Sequence, residues 1–130
     1  MRTDTIFYQL FQIMPNLLSE LLGRGEENYQ FQSVEIKELS RRIDGVFLPV
    51  GEDIHQPIYF AEVQFQGDER LYERLLTETF LYLGQYRPER PWLCVALWSK
   101  RSIETPIPRH YEALAEAGLL RVLYLSLIHI

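Results

Sequence analysis

Three polar residues stand in stretches that otherwise read as apolar strand: Asp44 in SRRIDGVFLP, and Glu62 and Gln64 in IYFAEVQFQ. An ionised carboxylate on a sheet face is costly unless it is paired, hydrated or bound to a cation. Strands repeat every two residues, so Glu62 and Gln64 share a face. If the strand carrying Asp44 lies beside theirs, two carboxylates and an amide oxygen converge. Hard oxygen donors of this kind suit Mg²⁺, which takes one or two carboxylates and leaves the rest of its shell to water and substrate phosphate. A metal so held lowers the pKa of its water and stabilises charge on a phosphodiester. The same residues have a plainer reading, with Glu62 and Gln64 on the solvated face of an edge strand and Asp44–Gly45 in a turn. Spacing alone leaves both open.

The elements that must position these residues follow from periodicity. From Thr3 to Leu22, Ile6, Phe7, Leu10, Phe11, Met14, Leu17, Leu18, Leu21 and Leu22 recur at helical steps. Thr3 or Asp4 suits the start of that helix and Gly23 its end, while Pro15 kinks or restarts it. The stretch GRGEEN reads as a turn. At Tyr29 the period changes to two and predicts two strands, with a break near Ser40 and an end at Pro49. A polar loop over 50–56 leads to a third strand over 58–66. Asp68 is expected to cap a helix over 69–86, whose inner face carries Tyr72, Leu75, Leu76, Thr79, Tyr82 and Leu83. The run Trp92 to Trp98 is nearly all apolar, as in a strand covered on both faces. A loop with Pro106 and Pro108 precedes a helix over 109–117, stopped by Gly118, and a last strand begins at Leu119. The order predicts an α/β fold, a mixed central sheet flanked by helices.

Composition narrows the class. The chain has 130 residues, 47% of them hydrophobic and 13% aromatic, which is too apolar for disorder and enough for one domain with a real core. The single cysteine, Cys94, excludes a disulfide scaffold, and no Cys/His spacing suits zinc. Without a signal-like N-terminus or a span-length apolar stretch, the expectation is a soluble protein of the reducing cytoplasm with no membrane partner. A net charge of −5 argues against a generic grip on DNA. It leaves room for local basic pairs at Arg41 and Arg42, Arg87 and Arg90, and Lys100 and Arg101.

Other residues read as structural. Cys94 is expected to be a buried small apolar group, because a reactive thiol needs exposure and positive neighbours. Trp92, Trp98, Tyr72, Phe80 and Tyr82 are expected to pack rather than stack bases. His55 and His110 have no partner at ligand or triad spacing, and Gly23 and Gly25 form no phosphate loop.

RTDTIFYQLF at the start, R-x-D at Arg42–Asp44, E-V-Q at Glu62–Gln64 and a following helix with Arg74 and Tyr82 together resemble the Rpn family of recombination-promoting nucleases and transposases. The resemblance covers most of the chain to about Tyr124 and is closest to a bacterial branch with glutamine in place of the motif's lysine. That family belongs to the PD-(D/E)XK superfamily, which implies a restriction-endonuclease-like core of helix, three strands, helix and strand. It implies a DNA endonuclease using Mg²⁺ or Mn²⁺, with Asp44 and Glu62 as metal ligands. Gln64 stands where the superfamily usually has lysine, and Arg74 matches a family arginine that holds the acidic site or a phosphate. Asp4 matches an early acidic position, and Glu20 is a further acid on the first helix. Glutamine cannot supply lysine's positive charge, so the alternative is a nuclease-fold module that binds DNA or assembles without cutting. A homodimer stays open.

The last six residues, LSLIHI, correspond to CTG TCT CTT ATA CAC ATC, the start of a transposon mosaic-end adaptor used in sequencing libraries. We therefore expect the natural domain to occupy 1–124 and continue past Tyr124, with 125–130 contributed by adaptor. The plainer alternative is a natural apolar strand.

Overall fold

The change of period at Tyr29 is realised as a run of strands. In the computed structural model, residues 29–36 and 41–125 are described, with side chains from residue 45 onward. The helical stripe over 3–22, with Asp4 and Glu20, and the tail over 126–130 lie outside the described residues. The elements are β1 (Tyr29–Ile36), β2 (Arg41–Pro49), β3 (Ile58–Gln64), α1 (Leu71–Tyr86), β4 (Trp92–Trp98), α2 (Glu112–Glu116) and β5 (Leu120–Tyr124). They form one five-stranded sheet in the order β1-β2-β3-β4-β5. β1, β2 and β3 pair antiparallel, whereas β3, β4 and β5 pair parallel. The fold is α/β with a mixed sheet, consistent with a restriction-endonuclease-like core.

The two halves differ because their connections differ. Antiparallel neighbours need only short links, but parallel neighbours need a crossover, and α1 supplies it between β3 and β4. Alternation along the strands sends Val46, Ile58, Phe60, Cys94, Ala96, Trp98 and Leu120 to one face, where they pack with Leu71, Tyr72, Leu75, Leu76 and Tyr82 of α1. Phe47, Tyr59, Ala61, Val63, Val95 and Leu97 alternate with them and are buried as well. β4 is therefore covered on both faces, as its unbroken apolar run predicts. Trp98 Nε1 donates to Tyr72 Oη at 3.1 Å, so the largest buried side chain brings no unpaired donor into the core.

Element ends depart from expectation at four places. β3 stops at Gln64 rather than Gln66, where Ser99 N–H takes the Gln64 carbonyl at 2.9 Å and closes the β3–β4 ladder. α1 begins at Leu71 rather than Glu69, because Asp68 Oδ1 accepts from the Arg70 N–H at 2.9 Å and folds those residues into a turn before the helix. The helix expected over 109–117 is a 3₁₀ turn, Arg109–Tyr111, followed by the short α2. Gly118 ends α2 with φ of 79°, a left-handed cap that Leu119 N–H completes by bonding the Leu114 carbonyl, and β5 starts one residue late at Leu120.

The connection between β2 and β3 is tied down from a distance. Arg90, just before β4, donates through Nη1 to the carbonyls of Asp53 at 2.8 Å and Gln56 at 3.2 Å, and through Nη2 to that of Gly51 at 3.1 Å.

Candidate functional site

β2 brings Asp44 to the sheet through an irregularity. Gln32 pairs with Val46 and Val34 with Ile43, so Ser33 alone stands opposite both Asp44 and Gly45. Two residues against one is a β-bulge, a device that re-aims side chains and recurs beside active sites. The Asp44–Gly45 turn weighed from the sequence is thus a bulge inside β2. On the other side of β2, the last recorded rung is Gly45 with Ala61. Asp44 precedes Gly45 and Glu62 follows Ala61, and the strands run antiparallel, so both acidic positions leave the ladder on the same side of that rung. The side chain of Asp44 lies outside the described residues.

Glu62 is far from an edge. β3 is the middle strand of the described sheet, and Glu62 pairs in register with Ala96 of β4, whose small side chain is fully buried on the same face. The Glu62 side chain is only 14% exposed, so the solvated edge-strand reading does not hold. A carboxylate there needs a counter-charge. α1 supplies it: Arg74 donates to Glu62 Oε1 from Nε at 2.8 Å and also from Nη2.

Arg74 has a second anion. Its Nη2 donates to Asp68 Oδ2 at 2.7 Å, and the same oxygen accepts from Gln64 Nε2 at 3.1 Å. Asp68 Oδ1 takes the Arg70 N–H, and its main-chain carbonyl takes the Thr105 hydroxyl at 3.1 Å. One cation thus faces two carboxylates, leaving a net negative charge on the Glu62–Arg74–Asp68 group. Burial alone would raise the Asp68 carboxyl, but the hydrogen bonds from Arg74 and the Arg70 backbone, with the charges of both arginines, outweigh it and hold the group below the ordinary carboxylate value. For Arg74, burial works against the charged form, and Asp68 and Glu62 more than compensate, so the guanidinium stays charged. Nη1 of Arg74 makes no recorded hydrogen bond among the described residues. An open cleft lined by Arg70, Glu73, Arg74, Thr77 and Glu78 lies beside it on α1.

A family model described as a protein of unknown function, DUF2887, matches residues 3–129. The chain belongs to the DUF2887 family. No curated protein and no solved structure matches it.

Of the residues singled out in this DUF2887 chain, Glu62, Gln64 and Arg74 are in one cluster, and Asp44 adjoins it through the backbone of β2. Asp68 belongs to the cluster too, although its sequence context marks it only as a helix cap. The signal available was its charge four residues after Gln64, which means little until the chain turns back over β3. Among the described residues, no group of three or more His, Cys, Asp and Glu side chains could hold a metal ion. The donors present are carboxylate and amide oxygens without thiol or imidazole, a set that fits a hard divalent ion.

Cys94 is fully buried with the Thr79 hydroxyl 3.3 Å from its sulfur, and burial pushes the thiol up to about 12. Trp98 is core. Phe80 is half-exposed and meets Trp92 edge-on. His55 is exposed, its backbone N–H donating to Asp53 Oδ1, and the His110 ring meets the Tyr111 ring at a tilt of 48°. Arg101 lies over the Tyr124 ring, whose hydroxyl donates to Glu104. Among the described residues, no helix is long and apolar enough to cross a membrane.

Proposed function

We propose that this chain is a metal-dependent DNA endonuclease of the PD-(D/E)XK type, related to the Rpn recombination-promoting nucleases and acting in the cytoplasm. The observation that carries the reading is the backbone placement of Asp44 and Glu62, on adjacent strands and on one side of their last shared rung. Asp44 and Glu62 would hold Mg²⁺, with Mn²⁺ as a substitute. The bound ion supplies Lewis-acid activation of water and charge neutralisation at the phosphodiester. The protein's own part is positional. Glu62 is fixed by Arg74 through one oxygen, and Gln64 is fixed by Asp68. Arg74 would supply to a phosphate oxygen the positive charge that Gln64 lacks. The test is plasmid cleavage in Mg²⁺ or Mn²⁺, which Asp44→Ala and Glu62→Ala should each abolish. Equal residual cleavage by wild type and both variants would assign the activity to a contaminant and remove the reading.

A second reading is favoured by one observation. Arg74 already neutralises Glu62, as in a structural ion pair, and Gln64 brings no charge. A nuclease-fold module that binds DNA or assembles without cutting would show that arrangement. Titration calorimetry with Mg²⁺ separates the two: heat of binding lost in Asp44→Ala supports the nuclease, and no heat from a folded wild-type protein supports the module.

A further inference from the structure

The outward side of α1 carries Glu73, Thr77, Phe80, Gly84 and Arg87, the last being the C-terminal cap of the helix. Residues at alternating steps of four and three line up along one side of a helix, as in the seam by which two helices pair. Phe80 sits at the middle of this row and is half exposed. An exposed phenylalanine by itself means little. This one is held edge-on to Trp92 at 5.4 Å between ring centroids, and Trp92 packs against the core. A ring so braced loses little freedom on being covered, which makes it an anchor. One turn further on, Gly84 is exposed, and nothing but its own helix lies within 4 Å of the place a Cβ would take, so there is room for a ring from outside.

The ends of the row carry opposite charges at equal distances from its centre, Glu73 seven residues before Phe80 and Arg87 seven after. Such a row is complementary to itself turned end for end: with Phe80 opposite Phe80, each Glu73 meets an Arg87 and each Thr77 a Gly84. Glu73 is paired with Arg70 at 3.4 Å, an exposed contact within one turn that holds it weakly. The Arg87 side chain makes no recorded hydrogen bond or ion pair among the described residues, and its φ of 47° is one that glycine takes more readily than arginine. We propose that the protein pairs with a second copy of itself through this side of α1, antiparallel about Phe80. The pairing requires no metal. Glu73 and Thr77 also line the cleft beside Arg74, so pairing adds the end of the second copy's α1 to that cleft.

Sedimentation equilibrium of the full chain over a range of concentrations tests the pairing, using Phe80→Ser, Glu73→Arg and Arg87→Glu, with thermal unfolding to show that each variant folds. Wild type should dimerise and Phe80→Ser should not. Each charge reversal should weaken the dimer by about tenfold or more, because two-fold symmetry sets like charges together at both ends of the interface. Mixing Glu73→Arg with Arg87→Glu in equal amounts should restore association, since each end then faces its opposite, a gain that no folding defect could produce. A wild type that stays monomeric at millimolar concentration overturns the proposal. So does a dimer that Phe80→Ser leaves intact, or a mixture no more associated than either variant alone.

Discussion

Arg74 and Glu62 meet across the helix–sheet boundary through two donors on a single carboxylate oxygen, Nε at 2.8 Å and Nη2 alongside it. The usual fork would divide the two donors between both oxygens. Here the shared Nη2 also reaches Asp68, so the guanidinium is turned to serve two acids from different segments. The pairing makes α1 and β3 one unit at the point where the candidate site sits.

Replacing Arg74 should therefore cost stability and change the response to metal. Arg74→Gln takes two charged donors from the partly buried Glu62 carboxylate, and the loss should be roughly 2 kcal/mol. Under the metal reading, Mg²⁺ competes with one fewer cation at Glu62 and should raise the melting temperature of Arg74→Gln more than that of wild type. Calorimetric scans with and without Mg²⁺ measure both, and an equal Mg²⁺ effect on the two proteins would separate Arg74 from the cation site.

Tyr72→Phe removes the acceptor for Trp98 Nε1 inside the core and adds nothing in its place. A buried donor left unsatisfied costs about 1–3 kcal/mol. Urea unfolding should show a lower midpoint with an unchanged slope. A midpoint equal to wild type would show that the indole finds another partner.

Cys94 should be chemically silent in the native state. Burial raises its thiol to about 12, so the folded form holds its proton more tightly than the unfolded chain, whose thiol titrates near about 8.5. The stabilisation is complete below the unfolded value, declines as pH rises past it, and is lost once pH passes the folded value. A disulfide reagent at pH 8 should label Cys94 only on unfolding, and native-state labelling at the denatured rate would contradict the burial.

Gly118 holds φ of 79°, and no atom outside its immediate chain neighbours lies within 4 Å of the place a Cβ would take. Gly118→Ala should thus cost about 1 kcal/mol from backbone strain alone. Thermal melts check it, and a gain in stability would mean that the turn before β5 relaxes to negative φ.

What the sequence made visible depended on how local each cause is. The strand Trp92–Trp98 matches its expected bounds to the residue, because an unbroken apolar run between prolines and polar residues records burial on both faces directly. α1 was legible by its period, and its start moved only because Asp68 bonds the Arg70 N–H. Glu62 and Gln64 were recognisable as costly in a strand, yet the cation that compensates Glu62 comes from twelve residues away on another element. Asp68 reads as a helix cap, but it bonds the Arg70 N–H in the turn before α1 and does not cap the helix, and its anchoring of Arg74 and Gln64 exists only in the fold. The Asp44–Gly45 pair carries the same composition in a turn as in a bulge, and the register with β1 decides between them.

The three carbonyls gathered by Arg90 bear on how the chain assembles. They belong to the link between β2 and β3, while Arg90 lies 34 to 39 residues further on, beyond α1. The antiparallel hairpin therefore closes its loop only in part by itself, through the Gln56 and His55 N–H groups on Asp53. The Asp53 carbonyl also accepts from the Gln56 N–H at 3.1 Å, but the guanidinium reaches it and the Gly51 and Gln56 carbonyls only once the crossover helix has docked and delivered the start of β4, a long-range closure that ties the antiparallel half to the parallel half. Losing that guanidinium would let the hairpin loop fray independently of the sheet, which would be seen as fast amide exchange confined to 51–56 while β3 and β4 stay protected.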